Sequence, residues 1–198
     1  MVSAVLTMKD VDQWRALDLS GTGQGPYMLG ADNEPARATF GCFASWSSFA
    51  SSPTDIWKFT AGAGKTARIK QMIISGTATS ATNVVMQLIL RSTANSGGTF
   101  VSLTSVAHDQ NDTAAVGATG YYTANPSSLG TAIGTVHGTR MNMAPAANGS
   151  IDRVSFNYTW QNDKALTLTS GMSLCLNMNG VSMPSGANLE VVLTWSED

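Results

Sequence analysis

Apolar side chains return at every second position through most of this chain. Val154, Phe156, Tyr158 and Trp160 alternate with Arg153, Ser155, Asn157 and Thr159, and Leu189, Val191, Leu193 and Trp195 alternate with Glu190, Thr194 and Ser196. Val84, Met86, Leu88 and Leu90 repeat the pattern, as do Met172, Leu174, Leu176 and Met178 against Ser173 and Asn177. Successive side chains of a strand point to opposite faces, so a period of two puts one face on a core and the other in solvent. The spacing predicts strands over 55–60, 67–75, 84–91, 99–107, 131–141, 151–160, 165–169, 172–178 and 189–195. Ala61-Gly62-Ala63-Gly64 reads as a tight hairpin between the first two, and 109–129 as a long loop carrying Gly117, Gly120 and Pro126. Nothing in this stretch has the length and periodicity of a long helix. The fold class is therefore all-β, an antiparallel two-sheet sandwich with the jelly roll as its natural architecture; other Greek-key strand orders remain open.

The first 36 residues read differently. Gly21, Gly23, Gly25, Pro26, Gly30 and Pro35 interrupt them, and the segment is too short to enclose a core. The exception is 11–18, where Val11, Trp14 and Leu17 fall three apart and predict a short helix with one apolar stripe. The expected organisation is an extended N-terminal arm over 1–36 and a single sandwich domain over 37–198. Left wet on a free chain, Trp14 and Leu17 are the residues expected to contact a neighbouring subunit or another protein surface, since burying each large apolar side chain is worth about 1.5–3 kcal/mol.

Charge narrows the partners. Only 12% of residues are Asp, Glu, Lys or Arg, against roughly 25% in an average soluble domain. A surface of Ser, Thr, Asn, Gly and Ala has little charge repulsion to keep copies apart, which suits a protein that packs against itself. The net charge of −2 argues against nucleic acid as a partner. The cations Lys58, Lys65, Arg68 and Lys70 cluster in sequence and read as a solvated or subunit-facing strand surface. No stretch is apolar for long enough to cross a bilayer, and no secretion signal opens the chain, so no membrane partner and cytoplasmic synthesis are expected. Cys42 and Cys175 sit in unlike surroundings and are expected as unpaired thiols.

The motifs that suggest chemistry each have a plainer reading. Phe59-Thr60-Ala61-Gly62-Ala63-Gly64-Lys65-Thr66 ends like a phosphate-binding loop, but Phe59 occupies the position of its first glycine, and an alternating strand follows where a helix is required. His108-Asp109 with Asp112 reads as a capped loop, with a calcium site on Asp109, Asn111 and Asp112 as the minor alternative. No serine sits on a nucleophile elbow and no zinc-ligand spacing occurs. The sequence therefore predicts no catalytic residue, no metal ligand, no cofactor and no enzyme. Of the tryptophans at 14, 46, 57, 160 and 195, three continue the strand alternation, which favours core or sheet-interface packing over sugar platforms.

One further pattern spans 55–197. Asp55-Ile56-Trp57-Lys58-Phe59-Thr60, Ile74-Ser75-Gly76-Thr77-Ala78-Thr79 and Arg91-Ser92-Thr93-Ala94-Asn95-Ser96-Gly97-Gly98-Thr99 follow one another in order. His108-Asp109, Tyr122-Thr123-Ala124-Asn125-Pro126-Ser127-Ser128-Leu129-Gly130, Leu176-Asn177-Met178-Asn179-Gly180 and Leu193-Thr194-Trp195-Ser196-Glu197 complete the succession. This resembles a family of small jelly-roll-like structural proteins of tailed bacteriophages. The resemblance implies a virion component, most naturally a capsid decoration (cement) protein that binds at capsomer junctions as a homotrimer. Its partners would be copies of itself and the major capsid protein or another virion protein, and its location the virion. The alternative is a tail-fibre, spike or head-fibre knob that binds a host-surface glycan through loops such as 109–129. The family brings no catalytic motif, and residues 1–54 share no pattern with it.

Overall fold

A computed structural model describes residues 37–146, 152–158 and 165–198 in full and the backbone of 6–10 and 13–17. The chain divides into two compact units, Met1–Ala36 and Arg37–Asp198. In the first, β1 (Leu6–Asp10) and β2 (Gln13–Leu17) form an antiparallel hairpin with Leu6 opposite Leu17 and Asp10 opposite Gln13. The short helix expected near 11–18 is thus replaced, over 13–17, by a strand. A helical segment of that length gains too few hydrogen bonds to offset its nucleation, whereas the hairpin pairs its backbone with a neighbour at once.

The second unit runs β3 (Thr39–Trp46), β4 (Asp55–Thr60), β5 (Ala67–Thr77), β6 (Thr82–Arg91), β7 (Thr99–Leu103), β8 (Val106–Ala107) and β9 (Ala118–Ala124). It continues through β10 (Ala132–Met143), β11 (Arg153–Asn157), β12 (Leu166–Leu168), β13 (Ser173–Asn177) and β14 (Asn188–Glu197). One sheet, here sheet 1, has the order β10-β6-β13-β4-β9-β7; sheet 2 has the order β11-β5-β14-β3-β8, with β12 also on β5. Their strand pairs are antiparallel. The two-sheet sandwich expected from the alternation is what the chain forms; the jelly-roll wiring is a finer statement that this strand order does not make.

The core lies where the two inner faces meet. Ile56, Phe59, Met86, Leu88 and Leu174 of sheet 1 and Phe40, Ile69, Met72, Ile74, Leu193 and Trp195 of sheet 2 are all buried. Rings cross between the layers: Trp195 lies 4.9 Å from Phe59, and Trp46 stacks on Tyr121 at 4.9 Å. Methionines 72, 86, 141, 143 and 178 fill the remaining irregular volume, a use suited to their flexible, polarisable chains.

Three expectations are corrected by the strand order. Residues 61–66 do not form a hairpin, because β4 is a central strand of sheet 1, flanked by β13 and β9, while β5 belongs to sheet 2. The glycines mark a real turn, with Lys65 N–H donating to Gly62 O at 3.1 Å and Gly64 at φ 71°, but the turn carries the chain across the sandwich. The expected strand over 99–107 splits into β7 on sheet 1 and β8 on sheet 2. The expected loop over 109–129 contains β9, which pairs with both β4 and β7.

The crossing at 61–66 has no slack. A Cβ at Gly62 would come within 2.4–2.7 Å of Val116, its backbone carbon included. Gly62→Ala is therefore expected to lower the unfolding free energy by about 1–3 kcal/mol in urea titrations, the usual cost of overpacking. Lys65→Ala in the same turn is expected to stay within about 0.5 kcal/mol of the parent.

Candidate functional site

β13 shows where polar chemistry is concentrated. Ser173, Cys175 and Asn177 alternate with its apolar residues and should face solvent, yet all three are buried. They lie on the outer face of sheet 1 beneath a roof made by 92–98 and 125–131, which are tied together through the Ser96–Ser128 bridge. Under this roof sits Asp55, fully buried at the start of β4. Its Oδ2 accepts Arg91 Nε at 2.7 Å and Asn95 Nδ2 at 2.7 Å, and its Oδ1 accepts Arg91 Nη2 at 2.9 Å and Asn177 Nδ2 at 2.5 Å. Arg91 Nη1 donates onward to Gly130 O at 2.8 Å, and Gly130 N–H returns to Asn95 Oδ1 at 2.9 Å. Both roof segments are thereby clamped to one carboxylate. Segments read separately in sequence, 55–60, 91–99, 122–130 and 176–180, meet at this point.

The environment of the hub decides its chemistry. Lys58 donates to Asn95 O at 3.3 Å and lies 4.6 Å above the Phe100 ring and 5.5 Å from that of Tyr122. Desolvation lowers its pKa, partly opposed by the negative charge near it. Burial, reinforced by the Asp55 charge, pushes the Cys175 thiol well above its ordinary range, so it stays protonated and is a poor nucleophile. The Asp55 carboxylate is saturated by its donors. This cluster holds the two loop segments against sheet 1.

A second carboxylate does similar work at the chain's end. Buried Glu197 accepts Trp195 Nε1 at 2.9 Å and Gly117 N–H at 2.8 Å on Oε1, and Val116 N–H at 2.9 Å on Oε2. It fixes 116–117, a stretch with no ladder of its own.

The outer face of sheet 2 is a different surface. Paired residues share a face, so Phe43, Val192, Ile73 and Ser155 form one row across four strands. Phe43 is 58% exposed, and Val192 and Ile73 are half-buried. The next row, Val106-Gly41-Thr194-Gln71-Asn157, begins with Val106 at 56% exposure. Charges here are few: Glu190 accepts from Ser75 Oγ, Lys70 donates to Thr39 Oγ1, Arg68 and Arg37 both bind Asp198, and Arg153 stands exposed on β11 opposite Ser75.

The residues singled out in sequence are scattered by the fold. Trp14 lies opposite Lys9 and Leu17 opposite Leu6 in the β1–β2 ladder; their side chains, where the subunit or capsid contact was expected, lie outside the described residues. Lys58 is on sheet 1 whereas Arg68 and Lys70 are on sheet 2, so the four cations form no single patch. Asp109 Oδ1 accepts Asn111 N–H and Nδ2, each at 2.9 Å, which is a local loop-capping turn. Among the described tryptophans, Trp46, Trp57 and Trp195 are buried in the core; Trp160 lies outside the described residues. Cys42 and Cys175 are free thiols. Comparison with known protein families, with curated proteins and with solved structures found no match for the chain.

The Asp55 hub generates two predictions. Removing one partner of a buried ion pair strands the other, so Asp55→Ala is expected to cost about 3–5 kcal/mol in denaturant unfolding. Arg91→Met together with Asp55→Leu removes both charges and is expected to cost clearly less than the sum of the single changes. The second prediction concerns alkali. Desolvation pushes the phenols of Tyr122 and Tyr158 from 10.0 up to about 12, and in Tyr122 the nearby negative charges add to it. The folded state keeps its protons while the unfolded chain loses them from about pH 10, so stability is intact below pH 10 and falls towards pH 12. Urea titrations across that range should show the decline, and Tyr122→Phe with Tyr158→Phe should flatten it.

Proposed function

We propose that this chain is a structural component of a tailed-phage virion, a capsid decoration protein that reinforces the head by binding at capsomer junctions as a homotrimer. The observation that carries the reading is the outer face of sheet 2, a broad surface with few charges across which Phe43, Val192 and Ile73 form an apolar run. Such a face gains by being covered, at about 25 cal/mol per Å² of apolar area, and repeated symmetric copies multiply a modest gain. The ordered resemblance over 55–197 supports the same reading, as does a charge fraction of 12%. In this proposal the chain works by being rigid and by adhering; it performs no reaction, needs no cofactor, and meets only copies of itself and a shell protein.

Purified protein added to expanded, undecorated heads is expected to bind to saturation and to raise the temperature at which they rupture. Phe43→Asp is expected to weaken that binding by about tenfold or more per site, because a side chain of this size contributes about 1.5–3 kcal/mol when buried. Trp14→Ala with Leu17→Ala in the arm is expected to weaken attachment while leaving the thermal unfolding of the sandwich unchanged. Retention of the protein on host polysaccharide, with no binding to heads, would instead identify a receptor-binding knob.

A further inference from the structure

We infer that β10 is a pairing edge for a second copy of this chain, joined antiparallel about a two-fold axis at Thr139. β10 is the outermost strand of sheet 1 and twelve residues long, whereas the other edge strands of sheets 1 and 2, β7, β8, β11 and β12, span five, two, five and three. Long edges are normally blunted by charge, proline or bulges, because their unpaired backbone groups invite another strand. β10 has no proline, one formal charge at Arg140, and register shifts confined to 132–137. Its other end is closed, since Asn142 N–H donates to Asp152 Oδ2 at 2.8 Å. That bond also shows which amides face away from β6. By alternation they are those of Asn142, Arg140 and Gly138, so the open stretch is 138–141.

The glycine in this stretch is the second observation. Gly138 has neither a left-handed φ nor any neighbour within 4 Å of an added Cβ, and the same holds for Gly134. A strand-interior glycine weakens a sheet and commonly marks a place where another backbone approaches. Nothing inside the described unit requires it. A second copy does, because the edge is complementary to itself when reversed about Thr139. Gly138 then lies opposite the partner's Arg140, and the only like charges on the edge are kept apart. Gly138 pairs with Gln87 on its other side, so the partner's guanidinium can lie across the bare glycine to the Gln87 side-chain carbonyl. Val85, 45% exposed and opposite Arg140, flanks the contact on the same face. The two Thr139 residues meet as a non-hydrogen-bonded pair, the closer kind, at roughly 4.5 Å between Cα atoms. This two-fold contact would link one trimer to the next, and it stands whether or not the virion reading does.

The test uses the full chain. In Thr139→Cys, the two-fold places the new thiols within disulfide reach, while the native Cys42 and Cys175 are buried. Oxidised glutathione is expected to give a covalent dimer on a non-reducing gel. Adding Gly138→Lys, which sets a second cation against the partner's Arg140, is expected to cut its yield at least tenfold. Hydrogen exchange of the unaltered protein covers the case of a misfolded variant. The Gly138 and Arg140 amides should be protected in concentrated solution and lose protection on dilution. Absence of the cross-linked dimer in a folded Thr139→Cys protein, or an equal yield once Gly138→Lys is added, would overturn the inference. Amides that exchange freely at every concentration, or stay protected in a demonstrated monomer, would do so too.

Discussion

A carboxylate removed from water is costly unless the protein supplies the hydrogen bonds it has lost. Asp55 meets that condition with donors from three separate segments, a bidentate guanidinium from the end of β6 and two carboxamides, one from the roof and one from the end of β13. The constraint is mutual. Arg91 is buried too, and without Asp55 it would face the same desolvation alone. The arrangement fixes the roof segments at positions that apolar packing would leave loose, because hydrogen bonds to a fixed carboxylate tolerate little displacement. Whether that pair adds net stability over an apolar substitute is a separate matter from what it specifies, which is where 92–98 and 125–131 lie.

The roof makes the two sheets unequal. In the middle of sheet 1 both faces are covered, the inner by the core and the outer by Asn95, Gly130 and the rings of Phe100 and Tyr122 around Lys58. Among the described residues, sheet 2 carries no such cover on the Phe43 row. A sandwich that needed only to be soluble would place charge there. With 12% charged residues, this chain leaves the run from Phe43 through Val192 to Ile73 apolar and neutral. The same economy of charge appears along β10, whose single arginine lies between Thr139 and Met141.

What the sequence makes legible follows from the range of each interaction. Alternation is local, so β5, β6, β11 and β14 can be read within a residue or two at most ends, and with them the sandwich and its core face. Pairing is not local. The glycines at 62 and 64 announce a turn, but whether the chain returns beside β4 or crosses to the other sheet depends on β13 and β9, which lie far along the chain. β9 escapes notice because Gly117, Gly120 and Pro126 read as loop punctuation, yet Gly120 is demanded by the Phe100 ring and Val101 O, which leave no room for a Cβ. The hub is concealed for a related reason. Ser173, Cys175 and Asn177 look like an ordinary solvent face until the roof is in place. The one hint available beforehand is an aspartate that opens a strand buried on both faces.

The order of the strands also makes each sheet depend on pairings between distant parts of the chain. β14 is the last strand made, yet it is central in sheet 2, pairing with β3 on one side and β5 on the other. It supplies Trp195 to the inter-sheet rings and Glu197 to the 116–117 segment. β3 and β5 are joined only through β14, so sheet 2 is continuous only with that strand in place. β13 plays the same part in sheet 1, between β4 and β6, and brings Asn177 to Asp55 as it enters. Both sheets therefore close late, through long-range pairings whose loop-closure entropy precedes their reward. The pairing that makes sheet 1 continuous is also the one that brings Asn177 to Asp55, so the hub is complete only with β13 in its place.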